Sequence, residues 1–305
     1  MSNLVQGLKA ALDYTRLYRD QTFVVKLGGE VLASANLLDG LAVEIALLES
    51  LSIRVVVVHG GGPQATQLSR TLGFEPEIVA GRRVTTPEVL DVAKMIYAGR
   101  LNVDVLAALR AQGVRGVGLS GIDGALVEVH RRPPVSVNDD DGTTRTVDFG
   151  EVGDVDRVDP SLLELLLPQG YVPVVASLAA DREGHPLNVN ADTLAEAIAT
   201  ALGAEKLIYL TGAPGLLRDV NDPSSLVAFA CPDDLRELMA EGKIVGGMRP
   251  KVEACLRAVE NGVRRTHIVD GRSPDALLVE LFTGHGSGTM IVAEREMESY
   301  QEHGL

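Results

Sequence analysis

The feature that most constrains the fold of this chain is the segment 54–59, in which four consecutive valines and a histidine are followed by three glycines at 60–62. A strand with one face in water alternates apolar and polar residues, and this segment does not alternate. Strands that are apolar on both faces are typical of parallel sheets covered by helices on both sides. A second apolar run, residues 23–27, ends in Gly28 and Gly29. Both segments therefore predict buried strands, each followed by a tight turn.

Strand-like and helical segments alternate along much of the chain. Residues 37–51 have the spacing of a helix and separate the two strands above. Further strands are predicted at residues 114–119, 171–176, 207–210 and 266–269. This repeated order predicts an α/β fold with an open, mostly parallel sheet and helices on both of its faces.

Two segments depart from that order. Residues 4–18 read as an amphipathic helix, which fits either a solvated first helix of the core or a helix that binds a partner. Residues 136–147 are polar and predict a hairpin with its turn at 138–142. Three adjacent aspartates in that turn also suggest a calcium loop, but the other ligands of that motif are missing, which favours the hairpin.

Composition and charge exclude several classes of protein. With 305 residues, 46% of them hydrophobic, the chain is too long for a disulfide-stapled peptide and too apolar for a disordered polymer. Its 28 basic and 42 acidic residues give a net charge of −14, which makes nucleic acid and membrane surfaces poor partners. An anionic small molecule is still compatible, because local cations and backbone dipoles can outweigh the mean field.

We expect a cytoplasmic protein. Charges near the N-terminus interrupt any apolar core of a secretion signal, and no later segment approaches the roughly 20 apolar residues of a membrane span. The two cysteines, Cys231 and Cys255, form neither a metal-binding spacing nor a disulfide framework. Buried free thiols of this kind fit a reducing compartment.

The glycines indicate a phosphate site. In open parallel sheets, ligands bind beyond the carboxyl ends of the strands, where both glycine turns are expected. Glycine lets bare backbone N–H groups approach an anion, and a following helix adds the positive end of its dipole. Pro63 favours a helix that begins directly after the second turn. Lys26, inside the first strand, adds a positive charge to this edge.

Other ligand motifs compete with this interpretation. Residues 60–65 satisfy the loose glycine pattern of a dinucleotide site, but no carboxylate ends an apolar strand about 20 residues later, as that motif requires. The hypothesis that the chain is a nicotinamide oxidoreductase therefore rests on the glycines alone. The six histidines are scattered without metal-ligand pairing. We interpret His59 as a hydrogen-bonding residue at a strand end rather than a catalyst.

Five motifs follow one another in a diagnostic order. They are residues 25–29 (VKLGG), 59–63 (HGGGP), 81–85 (GRRVT), 188–192 (NVNAD) and 246–251 (GGMRPK). The succession resembles the amino acid kinase family and, within it, the members that phosphorylate N-acetyl-L-glutamate. The resemblance extends from about residue 23 to residue 290, nearly the whole chain.

The resemblance implies a three-layer αβα sandwich with two lobes. Residues 1–20 would form an N-terminal helix for oligomerisation or regulation, residues 21–203 a lobe that binds acetylglutamate, and residues 204–305 a lobe that binds ATP. The γ-carboxylate of acetylglutamate would attack the γ-phosphate of ATP, with Mg²⁺ held mainly by the nucleotide. Because that carboxylate is already ionised at neutral pH, the reaction needs positioning and electrostatics rather than a general base.

The resemblance also assigns the catalytic side chains. Lys26 and Lys251 match two lysines, one from each lobe, that flank the transferring phosphoryl group. Asp192 matches the acid that holds both ammonium groups in place. Arg83 and Asn188 match residues that grip the α-carboxylate of the substrate.

Backbone groups complete the implied site. The N–H groups of Gly28 and Gly29, on the phosphate, and of Gly60 and Gly61, on the substrate, would supply fixed dipoles. Thr211 and Gly212 would lie on the nucleotide side.

Each central side chain also has an ordinary structural interpretation. Lys26 could be a surface charge, although a lysine inside an apolar strand is uncommon without a partner. Asn188 and Asp192 could cap a helix that begins near Ala191, a role compatible with catalysis. Lys251 could be a simple first-turn lysine, but a cation there opposes the helix dipole.

Two positions depart from the family pattern. Gly212 stands where members usually carry an aspartate, which leaves open a catalytically impaired, amino-acid-sensing homologue. Arg249 replaces a usual aliphatic residue and would either alter phosphate binding or point to solvent. Another alternative is a kinase of acetylaminoadipate in lysine biosynthesis, because a pocket distinguishes one methylene by only about 1–3 kcal/mol.

The resemblance further implies regulation. Arginine-inhibited members carry an N-terminal helix that interlaces dimers into a hexamer, and a C-terminal signature near the inhibitor. Tyr14 lies in the predicted N-terminal helix, and Glu280 and Gly288 lie in a segment similar to the signature, with Asp275 in place of a usual histidine. We therefore expect a homo-oligomer, a dimer or a hexamer, inhibited by L-arginine, whose cationic end Glu280 would bind.

Overall fold

The structure of the chain is a computed structural model that describes residues 16–79, 82–138, 144–244, 246–283 and 286–293. Its strands are β1 Thr22–Leu27, β2 Arg54–His59, β3 Ile78–Val79, β4 Arg82–Arg83, β5 Gly116–Ser120, β6 Val127–Arg131, β7 Val135–Asn138, β8 Thr144–Val147, β9 Val152–Val158, β10 Val172–Ala176, β11 Leu178–Ala180, β12 Pro186–Val189, β13 Lys206–Thr211, β14 Phe229–Ala230, β15 Arg265–Asp270 and β16 Thr289–Val292.

Ten α-helices lie in the described residues. They are α1 Gly29–Leu32, α2 Ala35–Ser50, α3 Gly62–Thr71, α4 Pro87–Lys94, α5 Asn102–Ala111, α6 Ser161–Leu166, α7 Ala191–Ala201, α8 Pro232–Ala240, α9 Met248–Glu260 and α10 Ala276–Phe282. A π-helical segment, Met95–Leu101, joins α4 directly to α5. None of the helices in the described ranges is long and apolar enough to cross a lipid bilayer.

An eight-stranded sheet forms the centre of the fold, in the order β14-β16-β15-β13-β1-β2-β10-β5. The pairs from β15 to β5 are parallel, and β16 is antiparallel to β15 at one edge. The predicted open, mostly parallel sheet is therefore confirmed. Its central strands coincide with the apolar runs of the sequence, because a strand that helices cover on both faces buries all of its side chains.

The two faces of the sheet explain the valine run in β2. Val55 and Val57 belong to a core formed with α2, α4, α5 and α10. Val56 and Val58 belong to a second core on the opposite face, formed with α6, α7, α8 and α9. Successive side chains of a strand point to opposite faces, so both faces must be apolar when helices cover both. This arrangement is the expected αβα sandwich.

A second, smaller sheet was not predicted. Four short strands close on themselves in the order β11-β12-β9-β6. Apolar runs in these strands are short and mixed with charges, as in β9, whose sequence is VGDVDRV. This sheet matters for the site because β12 leads directly into α7.

The polar hairpin is confirmed. β7 pairs antiparallel with β8, from Val135 opposite Val147 to Asn138 opposite Thr144. Of the predicted turn at residues 138–142, Asn138 belongs to β7 and residues 139–142 lie outside the described residues. So does nearly all of the predicted N-terminal helix, of which only residues 16–18 are described, as helix. Both cysteines are buried and free, as expected.

Candidate active site

The two glycine turns lie side by side. β1 and β2 are parallel and in register, with Leu27 opposite His59, so the turns that follow start at the same edge of the sheet. Helix α1 begins at Gly29 and helix α3 at Gly62, each directly after its strand. The predicted convergence of two glycine turns at one sheet edge is therefore what the structure contains, and Pro63 lies in the first turn of α3 as expected.

Two lysines from distant parts of the chain meet at one carboxylate. Lys26 Nζ lies 2.6 Å from Asp192 Oδ1, and Lys251 Nζ lies 3.0 Å from Asp192 Oδ2. Lys26 comes from β1, Asp192 from the first turn of α7, and Lys251 from the first turn of α9. The structure thus brings together the three residues that the sequence singled out.

The electrostatics of this group keep the carboxylate ionised. Burial by itself raises the pKa of Asp192, but the charges and hydrogen bonds of Lys26 and Lys251 outweigh it and leave that pKa below its ordinary value. A buried anion with two cations leaves one net positive charge at the carboxyl edge of β1. This positive charge favours an anionic ligand there.

The position of Asp192 depends on a helix cap that the sequence interpretation placed on the wrong residue. Asn190, rather than Asn188 or Asp192, caps α7, since its Oδ1 accepts hydrogen bonds from the backbone N–H groups of Asp192 and Thr193 at 2.8 and 3.0 Å. Asn188 lies two residues earlier, in β12. Asp192 is freed from capping by this arrangement, and its side chain can face the lysines.

The glycine N–H groups differ in availability. Gly28 donates its N–H to the Leu210 carbonyl at 2.8 Å, so the expectation that it presents a free dipole is wrong in this structure. The N–H groups of Gly60 and Gly61 have no acceptor among the described residues. Position 61 has no room for a side chain, because a Cβ atom there would lie 2.3 Å from Leu101 Cδ1.

Arg83 presents an unsatisfied donor. One of its guanidinium nitrogens, Nη2, donates to the Gly62 carbonyl and to Thr66 Oγ1. The other, Nη1, is buried without a partner in the described structure. An unpaired buried donor costs roughly 1–3 kcal/mol, which a bound carboxylate or phosphate would recover. Asn188 is distant from Arg83 in the sequence, but the fold brings both residues to the same cleft. Its Nδ2 donates to Thr85 Oγ1 at 3.2 Å.

Most of these groups line one cleft of about 650 Å³, although Lys251 and Gly28 are not among its lining residues. Lys26, Arg83 and Asp192 line it together with Gly29, Gly60, Gly61 and Asn188. Residues that the sequence reasoning missed line it too, namely Ser177, Arg132 and Asp154. Arg132 Nε donates to Asp154 Oδ1 at 3.0 Å. Both residues belong to or adjoin the small sheet, and no motif marked them because their proximity arises only from its closure.

A sequence profile described as the amino acid kinase family matches residues 21–270. The chain belongs to the amino acid kinase family.

Relatives within the family align over almost the full chain. The acetylglutamate kinase of Myxococcus xanthus (strain DK1622) is 49% identical over 289 residues, which are 94% of this chain and 94% of that protein. The acetylglutamate kinase of Methanothrix thermoacetophila is 43% identical over 286 residues, covering 94% and 97% of the two chains.

Solved structures share the fold. The N-acetylglutamate synthase of Neisseria gonorrhoeae, in complex with coenzyme A and N-acetyl-glutamate, matches with a TM-score of 0.81 at 29% identity. The match covers 95% of this chain but 63% of the synthase chain. The carbamate kinase of Giardia lamblia bound to AMP-PNP matches 90% of this chain and 99% of its own with a TM-score of 0.63, and at 16% identity it shows the fold alone.

The first departure from the family pattern is Gly212, and the side chain of Glu30 lies beside it. Gly212 follows the end of β13, and a Cβ atom there would lie 3.0 Å from the Cγ and Cδ atoms of Glu30. The Glu30 side chain therefore covers the space beside Gly212. Thr211 is buried and satisfies its hydroxyl locally, within 3.0 Å of the Ala213 carbonyl and N–H. Neither Thr211 nor Gly212 lines the 650 Å³ cleft.

The second departure concerns Arg249. Its side chain is 65% exposed, and its Nε donates to Glu253 Oε1 at 3.0 Å. This arrangement agrees with the interpretation that Arg249 points to solvent.

The expected effector residues lie apart from the cleft. Glu280 is buried, and its carboxylate accepts hydrogen bonds from Ser287 N at 2.6 Å and Gly288 N at 3.0 Å. It also lies 2.7 Å from His267 Nδ1, and these partners lower its pKa to about 2 although burial alone would raise it. Tyr14 lies outside the described residues. The Asp275 side chain makes no cap for α10, and Glu44 accepts the N–H groups of that helix instead.

The carboxylates of the cleft, which could ligate a metal ion, already form ion pairs with basic side chains. The carboxylates that line it, Asp154, Asp192 and Glu253, are each paired with a cation. Within the described ranges, one group of three side chains has ligand atoms within 4.8 Å of one another, and it lies outside the cleft: Asp181, Glu183 and His185. The donor set of the cleft thus fits phosphate oxygens rather than a protein-bound metal cage.

Proposed function

We propose that this chain transfers the γ-phosphoryl group of ATP to the γ-carboxylate of N-acetyl-L-glutamate in arginine biosynthesis, forming N-acetyl-L-glutamyl 5-phosphate and ADP. Relatives named acetylglutamate kinase at 49% and 43% identity support this substrate. The observation that carries the chemistry is the meeting of Lys26 and Lys251 on Asp192 beside two glycine turns.

The geometry suits a reaction between two anions. A carboxylate with a pKa near 4.3 is ionised at neutral pH, so no base has to remove a proton. The barrier lies in bringing that anion against a polyanion and in stabilising charge on the transferring group. Lys26 and Lys251 would neutralise the phosphoryl oxygens and the leaving bridge, and Asp192 would hold both ammonium groups in position.

The acceptor would bind on the β2 side of the cleft. The unpartnered Nη1 of Arg83 and the amide of Asn188 would bind its α-carboxylate, and the N–H groups of Gly60 and Gly61 would face its reacting carboxylate. Residues 21–203 would serve as the acetylglutamate lobe and residues 204–305 as the ATP lobe. Magnesium would enter with ATP, held by phosphate oxygens and water.

A coupled assay of ADP release tests this function. We expect turnover with N-acetyl-L-glutamate and at least tenfold lower kcat/KM with acetylaminoadipate, which is one methylene longer. Preference for acetylaminoadipate would instead assign lysine biosynthesis. If neither compound stimulates ADP release, while calorimetry detects bound amino acid, the chain is a sensor.

We further propose that L-arginine inhibits a homo-oligomer, dimer or hexamer, of this chain. A structure of the Neisseria gonorrhoeae synthase, 26% identical to this chain, is described as complexed with L-arginine. A guanidinium group could replace His267 as the partner of Glu280. Initial rates measured in millimolar L-arginine should fall, and unchanged rates would remove the proposal.

A further inference from the structure

The fully buried imidazole of His59 connects the second glycine turn to the π-helical region. Its Nδ1 lies 2.9 Å from the Gly60 carbonyl oxygen, and its Nε2 lies 3.2 Å from the Asn102 amide nitrogen. His59 has no exposed surface, and Asn102 is also buried. Neither residue belongs to the catalytic group described above.

The orientation of the Asn102 amide determines which ring nitrogen carries the proton. Its Nδ2 also donates to the Val174 carbonyl at 3.0 Å, so this end of the amide must be the donor. Its Oδ1 occupies space over Gly118, where a Cβ atom would lie 2.2 Å away. Because Nδ2 can only donate, Nε2 of His59 must accept, and Nδ1 carries the hydrogen and donates to Gly60.

The ring stays neutral as well as fixed. Burial lowers the pKa of His59 to about 4, the hydrogen bond to the Gly60 carbonyl acts in the opposite direction, and the charge of Lys26 lowers the pKa further. A neutral ring with one donor and one acceptor satisfies both neighbours at neutral pH.

The hydrogen bond to Gly60 orients the next peptide group. The carbonyl of Gly60 points to the imidazole, and the described residues contain no cis peptide bond. In a trans peptide the following N–H points opposite to the carbonyl, so the Gly61 N–H points away from the ring. Gly61 lines the cleft, and its N–H has no acceptor among the described residues.

We propose that His59 is a positioning residue for phosphoryl transfer: as the Nδ1-protonated neutral tautomer selected by Asn102, it holds the Gly60–Gly61 peptide so that the Gly61 N–H faces the reacting anion. This inference rests on the proposed function. Tyr97 and Leu101 limit the turn from the other side, since a Cβ atom on Gly61 would contact both. The dipole is thereby preorganised before substrate binds.

Two substitutions of His59, by residues that have nearly the same shape as each other, test the positioning role. His59→Asn places an amide donor close to the position of Nδ1, whereas His59→Leu has the same branching without a donor. Both variants lose the ring and the contact with Asn102. We expect kcat to fall about 10- to 100-fold further in His59→Leu than in His59→Asn, which is less than for the loss of an oxyanion donor because the Gly61 N–H remains, while KM for ATP differs by less than about threefold.

A purely structural role predicts the reverse order, because leucine suits an apolar interior better than asparagine. Equal kcat values in the two variants, or higher kcat in His59→Leu, would overturn the proposal. Thermal unfolding of both variants reports stability separately from kcat.

Nitrogen-15 NMR of the wild-type imidazole gives a readout that needs neither substrate nor a folded variant. The expected spectrum has Nδ1 protonated and Nε2 unprotonated at pH 7, and the opposite tautomer would overturn the proposal. If wild type released no ADP with acetylglutamate, the proposed function would fail while the tautomer assignment still stood. The two failures are therefore distinguishable.

Discussion

At the scale of single residues, Lys26 shows how a sequence anomaly marks a site. A lysine in a strand whose other central residues are all buried requires a buried counter-charge, because an isolated ammonium group in an apolar interior is very costly. Asp192 supplies that charge at 2.6 Å. The need for a partner was readable in the sequence, but its identity came from the family motifs.

Removal of either lysine should abolish most of the activity. We expect Lys26→Ala and Lys251→Ala each to lower kcat by about 100-fold or more, because each removes a positive charge from the transferring group. Steady-state ADP release measures the effect. The matched control is Lys94→Ala, since the Lys94 side chain is 40% exposed and paired with Asp91 at 2.9 Å. Near-normal kcat in Lys26→Ala would refute the assigned role.

Arg83 should act on substrate binding. Arg83→Lys keeps the charge but removes the second guanidinium nitrogen, so the donor that is buried and unpartnered in the free protein disappears. We expect KM for acetylglutamate to rise about tenfold, with kcat changed by less than about threefold. Arg249→Lys, at the exposed arginine paired with Glu253, is the control. A change confined to the KM for ATP would contradict the assignment.

At the scale of elements, the π-helical segment aligns the second glycine turn. Met95–Leu101 continues α4 into α5 and places Tyr97 and Leu101 against Gly61, with Asn102 one residue later on His59. The apolar pattern of the sequence does not reveal the widened turn, because an i→i+5 hydrogen bond leaves no mark in that pattern. The contacts it creates are decided by packing.

Two glycine-to-alanine substitutions should have opposite effects. In Gly40→Ala, on the exposed face of α2, the new Cβ atom would meet nothing within 4 Å, so we expect the free energy of unfolding to rise by about 0.5–1 kcal/mol. In Gly61→Ala, the Cβ atom would lie 2.3 Å from Leu101 Cδ1, so we expect lower stability and lower kcat. Urea titration and ADP release measure the two changes. A fully active Gly61→Ala enzyme would show that the turn tolerates displacement.

At the scale of the whole molecule, two buried cores meet at a sheet that carries buried neutral histidines. His59 and His267 both have pKa values lowered to about 4, in each case mainly by burial. In the unfolded chain both would titrate near 6.5. Between these values the unfolded state binds more protons than the folded state, so folding must lose stability as the pH falls from 6.5 towards 4.

The resulting acid sensitivity can be measured. At pH 5 we expect each of the two histidines to cost about 2 kcal/mol of unfolding free energy relative to pH 7. Burial raises the pKa values of Glu44 and Glu196, which act in the opposite direction and keep the total loss below the sum. Urea unfolding at pH 5 and pH 7 tests this, and His59→Asn should remove about half of the loss. Equal stability at both pH values would contradict it.

The family motifs singled out Lys251 and Asp192, whereas the sequence by itself determined the central strands, the position of both glycine turns, the polar hairpin and the need of Lys26 for a counter-charge. These follow from local rules, since apolar runs, glycines and an unpaired charge constrain only their own neighbourhood. The closed small sheet, the occupied N–H of Gly28 and the link from His59 to Asn102 were decided by tertiary structure alone. Each depends on segments distant in sequence that meet only when both faces of the sheet are covered.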